Sequence, residues 1–260
     1  RSYRPDGPGP HAVLLYFHGG GWVLGGATSD DALCRDLCVR TDAVVVSVDY
    51  RHAPEHRFPA AVDDAVAALR WVAEHAEELG GAPGRLMVGG WSAGAGLATV
   101  ACRIARDGGG PAIAAQALIA PVTDSDTARA SYTENGCGYD LDATLMQWFF
   151  DQYCAPESRS DPRIAPLRTD DLSGLPPAAV VTCEFDVLRD EGEAYARALS
   201  SAGVPTEHIR ARGHTHTSLT QVGLVVSGAP VRERFAAAVR RLVDQERVSS
   251  NSGMARDVLA

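Results

Sequence analysis

Short apolar runs alternate along this chain with stretches of helical period. Residues 12–17, 43–48, 85–88, 114–120 and 178–182 are each dominated by apolar side chains, the first two as expected of strands buried on both faces of a parallel sheet, and 206–210 are read as a further strand. Between them, residues 30–41 have helical character. Residues 60–79 carry Val62, Val66, Leu69 and Val72 on one stripe, and 92–107 carry Leu97, Val100, Ala101 and Ile104 at helical spacing. Residues 189–202 and 231–246 complete the set of helices. Strand and helix in regular alternation predict an α/β fold, a doubly wound and mostly parallel sheet.

Two stretches break the rhythm. Residues 121–177 contain no strand pattern; they hold a polar loop, an apolar helix at about 141–153 with Leu145, Trp148 and Phe149, and a proline-rich return. An insertion of this length above the carboxyl ends of strands is placed to cover a site, so 124–156 is expected to form a cap. The tail, 248–260, is polar without a strong period and is expected to be frayed or disordered.

The chemistry concentrates where strands end. Gly90-Trp91-Ser92-Ala93-Gly94 lies where a strand turns into a helix, the setting of a nucleophile elbow in which a serine is held in strained geometry with its hydroxyl exposed. A serine nucleophile needs a base, an acid to orient that base, and donors for the oxyanion. Asp186 follows one late strand and His216 follows the last, so Ser92, Asp186 and His216 occur in the α/β-hydrolase order. His214 is a rival base, and Glu184 and Asp190 are rival acids. Gly20 and Gly21 lack side chains that would block their N–H groups, and the N–H of Ala93 completes the oxyanion donors. His11, His52, His56, His75 and His208 read as surface or loop histidines, and His18 as an anchor of the glycine loop.

Composition narrows the partners. The 260 residues, 45% of them hydrophobic, suit one well-filled domain spanning 1–260. A net charge of −9 opposes unassisted binding to nucleic acid or to an anionic membrane, which leaves a small molecule as the expected partner. No run approaches the roughly 18 apolar residues of a membrane span. Six cysteines without a C-x-x-C pair suit no zinc site and read as free thiols of a reducing, cytoplasmic compartment.

Five motifs in order, His18-Gly19-Gly20-Gly21-Trp22, Asp49-Tyr50-Arg51-His52-Ala53-Pro54-Glu55, the Ser92 elbow, Leu175-Pro176-Pro177 and Asp186-Val187-Leu188-Arg189-Asp190-Glu191-Gly192, resemble those of the hormone-sensitive-lipase-like (bacterial family IV) carboxylesterases. The resemblance runs from about Ala12 to Ser218. It implies an eight-stranded α/β-hydrolase sheet with a helical cap and a serine carboxylesterase acting on short-chain acyl esters through an acyl-enzyme. Its residues would be Ser92 as nucleophile, His216 as base, Asp186 as acid, and Gly20, Gly21 and Ala93 as oxyanion donors, with no metal or organic cofactor. The alternatives are a same-fold hydrolase of lactones, amides or carbamates, and a non-catalytic ligand-binding relative.

Four departures qualify the likeness. Trp91 stands where the family usually carries Asp or Thr; it either narrows the acyl pocket or fills space, and packing is favoured. The histidine is followed by Thr217-Ser218 rather than glycine and an aromatic, and the return is Ala165-Pro166-Leu167 instead of beginning with serine. Related chains begin some tens of residues earlier, with cap helices and the first two strands, and Arg1-Ser2-Tyr3-Arg4-Pro5 looks like the end of the second strand. The expectation is therefore a partial cap and a bare sheet edge, giving a more open site or a homodimer formed through that edge. Trp22, Trp148 and Phe149 either line the acyl or alcohol pocket or simply pack the cap helix.

Overall fold

A computed structural model describes residues 1–257. Its strands are β1 (Ser2–Tyr3), β2 (His11–Phe17), β3 (Ala43–Val48), β4 (Gly81–Trp91), β5 (Ala115–Ile119), β6 (Ala178–Phe185) and β7 (Thr206–Thr215). Its helices are α1 (Asp31–Thr41), α2 (Ala60–Glu74), α3 (Ala93–Gly108), α4 (Ala130–Glu134), α5 (Ala143–Tyr153), α6 (Arg189–Ser201) and α7 (Ala229–Asp257). The strands form one 7-stranded sheet in the order β1-β3-β2-β4-β5-β6-β7. All neighbours are parallel except β1, which pairs antiparallel with β3 at the edge. Seven strands among the described residues replace the eight that the family resemblance implied.

Alternation along β2 shows how the sheet divides its core. Val13, Leu15 and Phe17 pack on one face with Ala61, Val62, Leu69 and Val72 of α2, much of α3, and Tyr195 and Leu199 of α6. Ala12, Leu14 and Tyr16 pack on the other face with Leu33 and Leu37 of α1 and Phe235, Val239 and Leu242 of α7. Successive residues of a strand point to opposite faces, so a strand buried on both sides must be largely apolar, as β2 after His11 and β3 apart from Ser47 are.

Three differences from the sequence pattern concern helices. Helix α2 ends at Glu74 and the chain from His75 to Leu79 turns instead, with Leu79 N donating to His75 O at 3.1 Å. Helix α7 runs to Asp257, so 248–257 of the expected unstructured tail are helical, as a run free of proline permits; 258–260 lie outside the described residues. Helix α4, unseen in the hydrophobic pattern, is five residues long and polar. Tertiary hydrogen bonds hold it. Ser131 N donates to Asp190 Oδ2 at 2.8 Å, and Ser131 Oγ donates to Val187 O at 2.6 Å.

A second tie joins the segment after β5 to the first turn of α6. Glu191 is fully buried, and its Oε1 accepts from Thr123 N at 2.7 Å and Asp124 N at 3.1 Å. Its Oε2 is buried without a partner among the described residues. Burial raises the affinity of this carboxyl for its proton well above the ordinary range, against the two N–H donors. A carboxyl whose folded-state pKa is raised contributes its full stability below its unfolded value, about 4.3, and loses it as pH climbs toward the folded value. Glu191→Gln cannot ionise and keeps an acceptor oxygen. In urea titrations across the neutral range it is expected to lose less stability with rising pH than the parent chain; an unchanged slope would show that Glu191 is not the titrating group.

Candidate active site

Strand β4 and helix α3 meet at Ser92, whose backbone has φ 56° and ψ −123°. A non-glycine residue with positive φ costs free energy that the surroundings must offset. Here they do so with backbone hydrogen bonds: Ser92 N donates to Ile119 O at 2.9 Å, and Ser92 O accepts from Gly96 N at 3.1 Å and Val122 N at 3.2 Å. Gly90 and Gly94 are required by contact. A Cβ on Gly94 would lie 2.1 Å from Phe17 O and 2.4 Å from His18 O, and one on Gly90 would lie 2.4 Å from Phe17 O. The elbow is thereby seated directly on the end of β2.

Asp186 and His216 follow β6 and β7, which neighbour one another in the sheet. His216 Nε2 lies 2.9 Å from Ser92 Oγ, and His216 Nδ1 lies 2.8 Å from Asp186 Oδ2. All three side chains are buried, with relative exposures of 5% for Ser92, 1% for Asp186 and 4% for His216. Because a carboxylate only accepts, the Nδ1 contact places a proton on Nδ1 and leaves the Nε2 lone pair facing the hydroxyl. Asp186 is itself fixed: its Oδ1 accepts from Leu188 N at 2.9 Å, and its carbonyl accepts from Asn135 Nδ2 at 3.1 Å.

The rival groups are engaged elsewhere. His214 Nδ1 meets Ser218 Oγ at 3.0 Å. Glu184 accepts from Gly213 N at 2.7 Å, and Asp190 is held by Ser131 and Arg189. Besides Asn135, a second supporting residue carries no signal in the sequence. Asp140, in the 124–156 insertion, accepts from Thr217 N at 2.8 Å, from Thr215 Oγ1 at 3.1 Å and from Thr217 Oγ1. Burial opposes its charge, but those hydrogen bonds and nearby His216 outweigh burial and hold the carboxyl below its usual range. It thus grips the residues on both sides of His216.

The glycine loop after β2 runs beside the elbow. Gly20 has φ 114°, Gly21 61° and Trp22 62°. Its turn closes on Gly20 O, which accepts from Val23 N at 3.1 Å and Leu24 N at 2.9 Å. The N–H groups of Gly20, Gly21 and Ala93 have no acceptor among the described residues. His18 is fully buried, stacks on Tyr50 at 4.4 Å between ring centroids, and its carbonyl accepts from Tyr50 Oη at 2.9 Å. Burial lowers the proton affinity of the His18 ring.

The four aromatic candidates separate by environment. Trp22 is buried, stacked on Tyr153 at 4.2 Å and tilted against Phe150 at 5.6 Å, which makes it part of the core beneath α5. Trp91 packs its ring on Gly19, where a Cβ would come within 2.2 Å, and lies 5.2 Å from the His216 ring. Phe149 fills the space over Gly21, where a Cβ would meet its ring at 2.2 Å. Trp148 remains 43% exposed beside it. With Leu24 at 54% and Leu145 at 36%, it leaves apolar surface open to solvent on the glycine loop and α5.

Comparison with known proteins agrees with this arrangement. The family described as alpha/beta hydrolase fold matches residues 14–220. The chain is 45% identical over 232 residues to the carboxylic ester hydrolase LipN of Mycobacterium tuberculosis, covering 86% of this chain and 62% of LipN. It is 43% identical to the carboxylesterase NlhH of the same species, covering 88% of this chain and 73% of NlhH. The crystal structure of a thermostable esterase from Pseudomonas putida superposes with a TM-score of 0.89 at 41% identity, covering 93% of this chain and 78% of that one. The chain belongs to the α/β-hydrolase fold family, in its hormone-sensitive-lipase-like (bacterial family IV) branch.

Proposed function

We propose that this chain is a serine carboxylesterase for short-chain acyl esters, with the 124–156 insertion as its cap. The observation that carries the reading is the continuous hydrogen-bonded line from Asp186 through His216 to Ser92. Ser92 Oγ attacks the ester carbonyl while His216 Nε2 takes its proton. Asp186 holds the imidazole in orientation and stabilises its charged form. The oxyanion is met by the unclaimed N–H groups of Gly20, Gly21 and Ala93, and the start of α3 adds partial positive charge beneath it. His216 returns the proton to the departing alkoxide. Water then repeats the sequence on the acyl-enzyme. No step calls for a metal or organic cofactor.

Substrate class follows from the walls. Phe149 and Trp148 with Leu24 offer apolar contact, and relatives named as ester hydrolases reach 45% identity. Trp91 packs against Gly19 and lies beside the His216 ring, which supports a role in positioning the base. A small ester is the proposed partner, and the charge balance argues against nucleic acid. Among the described residues no helix is long and apolar enough to cross a membrane.

A 4-nitrophenyl ester ladder from acetate to laurate tests the reading directly. Turnover is expected to fall with acyl length and to drop roughly 10⁴-fold or more in Ser92→Ala; near-normal hydrolysis by that variant would overturn the assignment. Phe149→Ala opens space above Gly21 and is expected to shift the optimum toward longer acyl chains, which the same ladder reads. Asp140→Ala releases the residues flanking His216, so kcat is expected to fall by about 10- to 100-fold with KM little changed. A KM effect alone would assign Asp140 to substrate contact.

A further inference from the structure

Apart from the Ser92 site, three side chains able to ligate a metal meet at the carboxyl ends of two adjacent strands. His18 follows β2, while Asp49 and His52 follow β3. One ligand atom from each lies within 4.8 Å of the other two. His52, a loop histidine as the sequence predicts, is half-buried, with its Nε2 3.3 Å from His18 Nε2.

The tautomer of His18 is set by its neighbour. His18 Nδ1 lies 2.7 Å from Gly19 O, and a carbonyl only accepts, so Nδ1 bears the proton and Nε2 presents its lone pair. That lone pair faces His52. A histidine that ligates a metal characteristically donates its other N–H to such a carbonyl. The separation also fits: two nitrogens each about 2.0–2.1 Å from a tetrahedral zinc stand roughly 3.3–3.4 Å apart. A simple imidazole–imidazole hydrogen bond would occupy both nitrogens but leaves the convergence of Asp49 unexplained.

The surroundings hold the ligands still and leave an entry path. His18 is clamped by its stack on Tyr50, and His52 stands edge-on to the rings of His18 at 5.2 Å and Tyr50 at 5.0 Å. The loop at Gly25 and Gly26 passes so close that a Cβ on Gly25 would lie 2.7 Å from His18 Nδ1 and one on Gly26 3.3 Å from Asp49 Oδ1. Asp49 is exposed, which opens the cluster to ions from solvent.

We propose that His18, Asp49 and His52 bind a divalent transition-metal ion of the zinc class. Its ligands are the two Nε2 atoms and one carboxylate oxygen, with water in the fourth position. Neutral His52 binds as the Nδ1–H tautomer. Since His18 leads directly into the glycine loop, the bound ion ties that loop to the segment after β3 and stabilises the fold by mass action.

The test uses the full chain, stripped of metal with a chelator and then titrated with Co²⁺ or Zn²⁺. One Co²⁺ per chain is expected to develop the intense visible d–d bands of a four-coordinate site. Saturating Zn²⁺, at about a hundred times its dissociation constant, is expected to raise the Tm by roughly 5 °C or more. Asp49→Asn weakens both signals and His52→Leu abolishes them, while the metal-free variants keep the parent's melting temperature and hydrolysis of 4-nitrophenyl acetate. Should His52→Leu fail to fold, the exposed Asp49 variant gives the reading. Absence of the bands in the parent chain, or bands of full intensity in the variants, overturns the site.

Discussion

The fold depends on how closely two backbones approach at the elbow. Gly94 and Gly90 let the start of α3 rest on the carbonyls of Phe17 and His18, where any Cβ would stand no more than 2.4 Å from oxygen. That contact seats the serine turn on the end of β2, where the glycine loop with its unclaimed Gly20 and Gly21 N–H groups begins. Ordinary side chains at either glycine would force the two segments apart. The proposed nucleophile and the proposed oxyanion donors therefore depend on the same close contact.

A parallel sheet supplies the rest of the geometry. Every strand from β2 to β7 runs in the same direction, so the segments that follow β2, β4, β6 and β7 emerge at one edge. Side chains distant in sequence are therefore delivered to one place: Ser92 and His216 touch across a separation of 124 residues. Buried polar ties then fix the loops. Leu188 N and Asn135 hold Asp186, Asp140 holds the residues around His216, and Glu191 holds the segment after β5 to α6. The ties made by Asn135, Asp140 and Glu191 join the 121–177 stretch to the strand ends, so that stretch and the site are ordered together.

What was legible in the sequence follows the same division. The strands β2 to β6 and most helices are visible because burial on both faces demands apolar runs and burial on one face demands a stripe, whereas β7, an edge strand rich in polar residues, carries no such run. Ser92 stands out because glycines flank it at a strand-to-helix junction, and Asp186 and His216 because they close late strands. Asp140, Asn135 and α4 leave no comparable signal. Their partners, Thr217, Asp186 and Asp190, lie far away in the chain, and their own segments are polar and short. The choice between His216 and His214 was likewise open until the fold placed Ser218 against one ring and Asp186 against the other. For Trp22 the sequence leaves pocket wall and packing equally open, and stacking on Tyr153 takes it into the core.

The central claim is that Ser92 is the group that becomes acylated. Mass spectrometry of the full chain after treatment with a diethyl phosphoryl ester tests it most directly, because such reagents phosphorylate an activated serine and stop there. The account predicts one diethylphosphoryl group per chain, located on Ser92 by peptide mapping, and its loss when His216 is replaced by alanine. Stoichiometric label on another residue, or a folded chain that takes up no label, would contradict it.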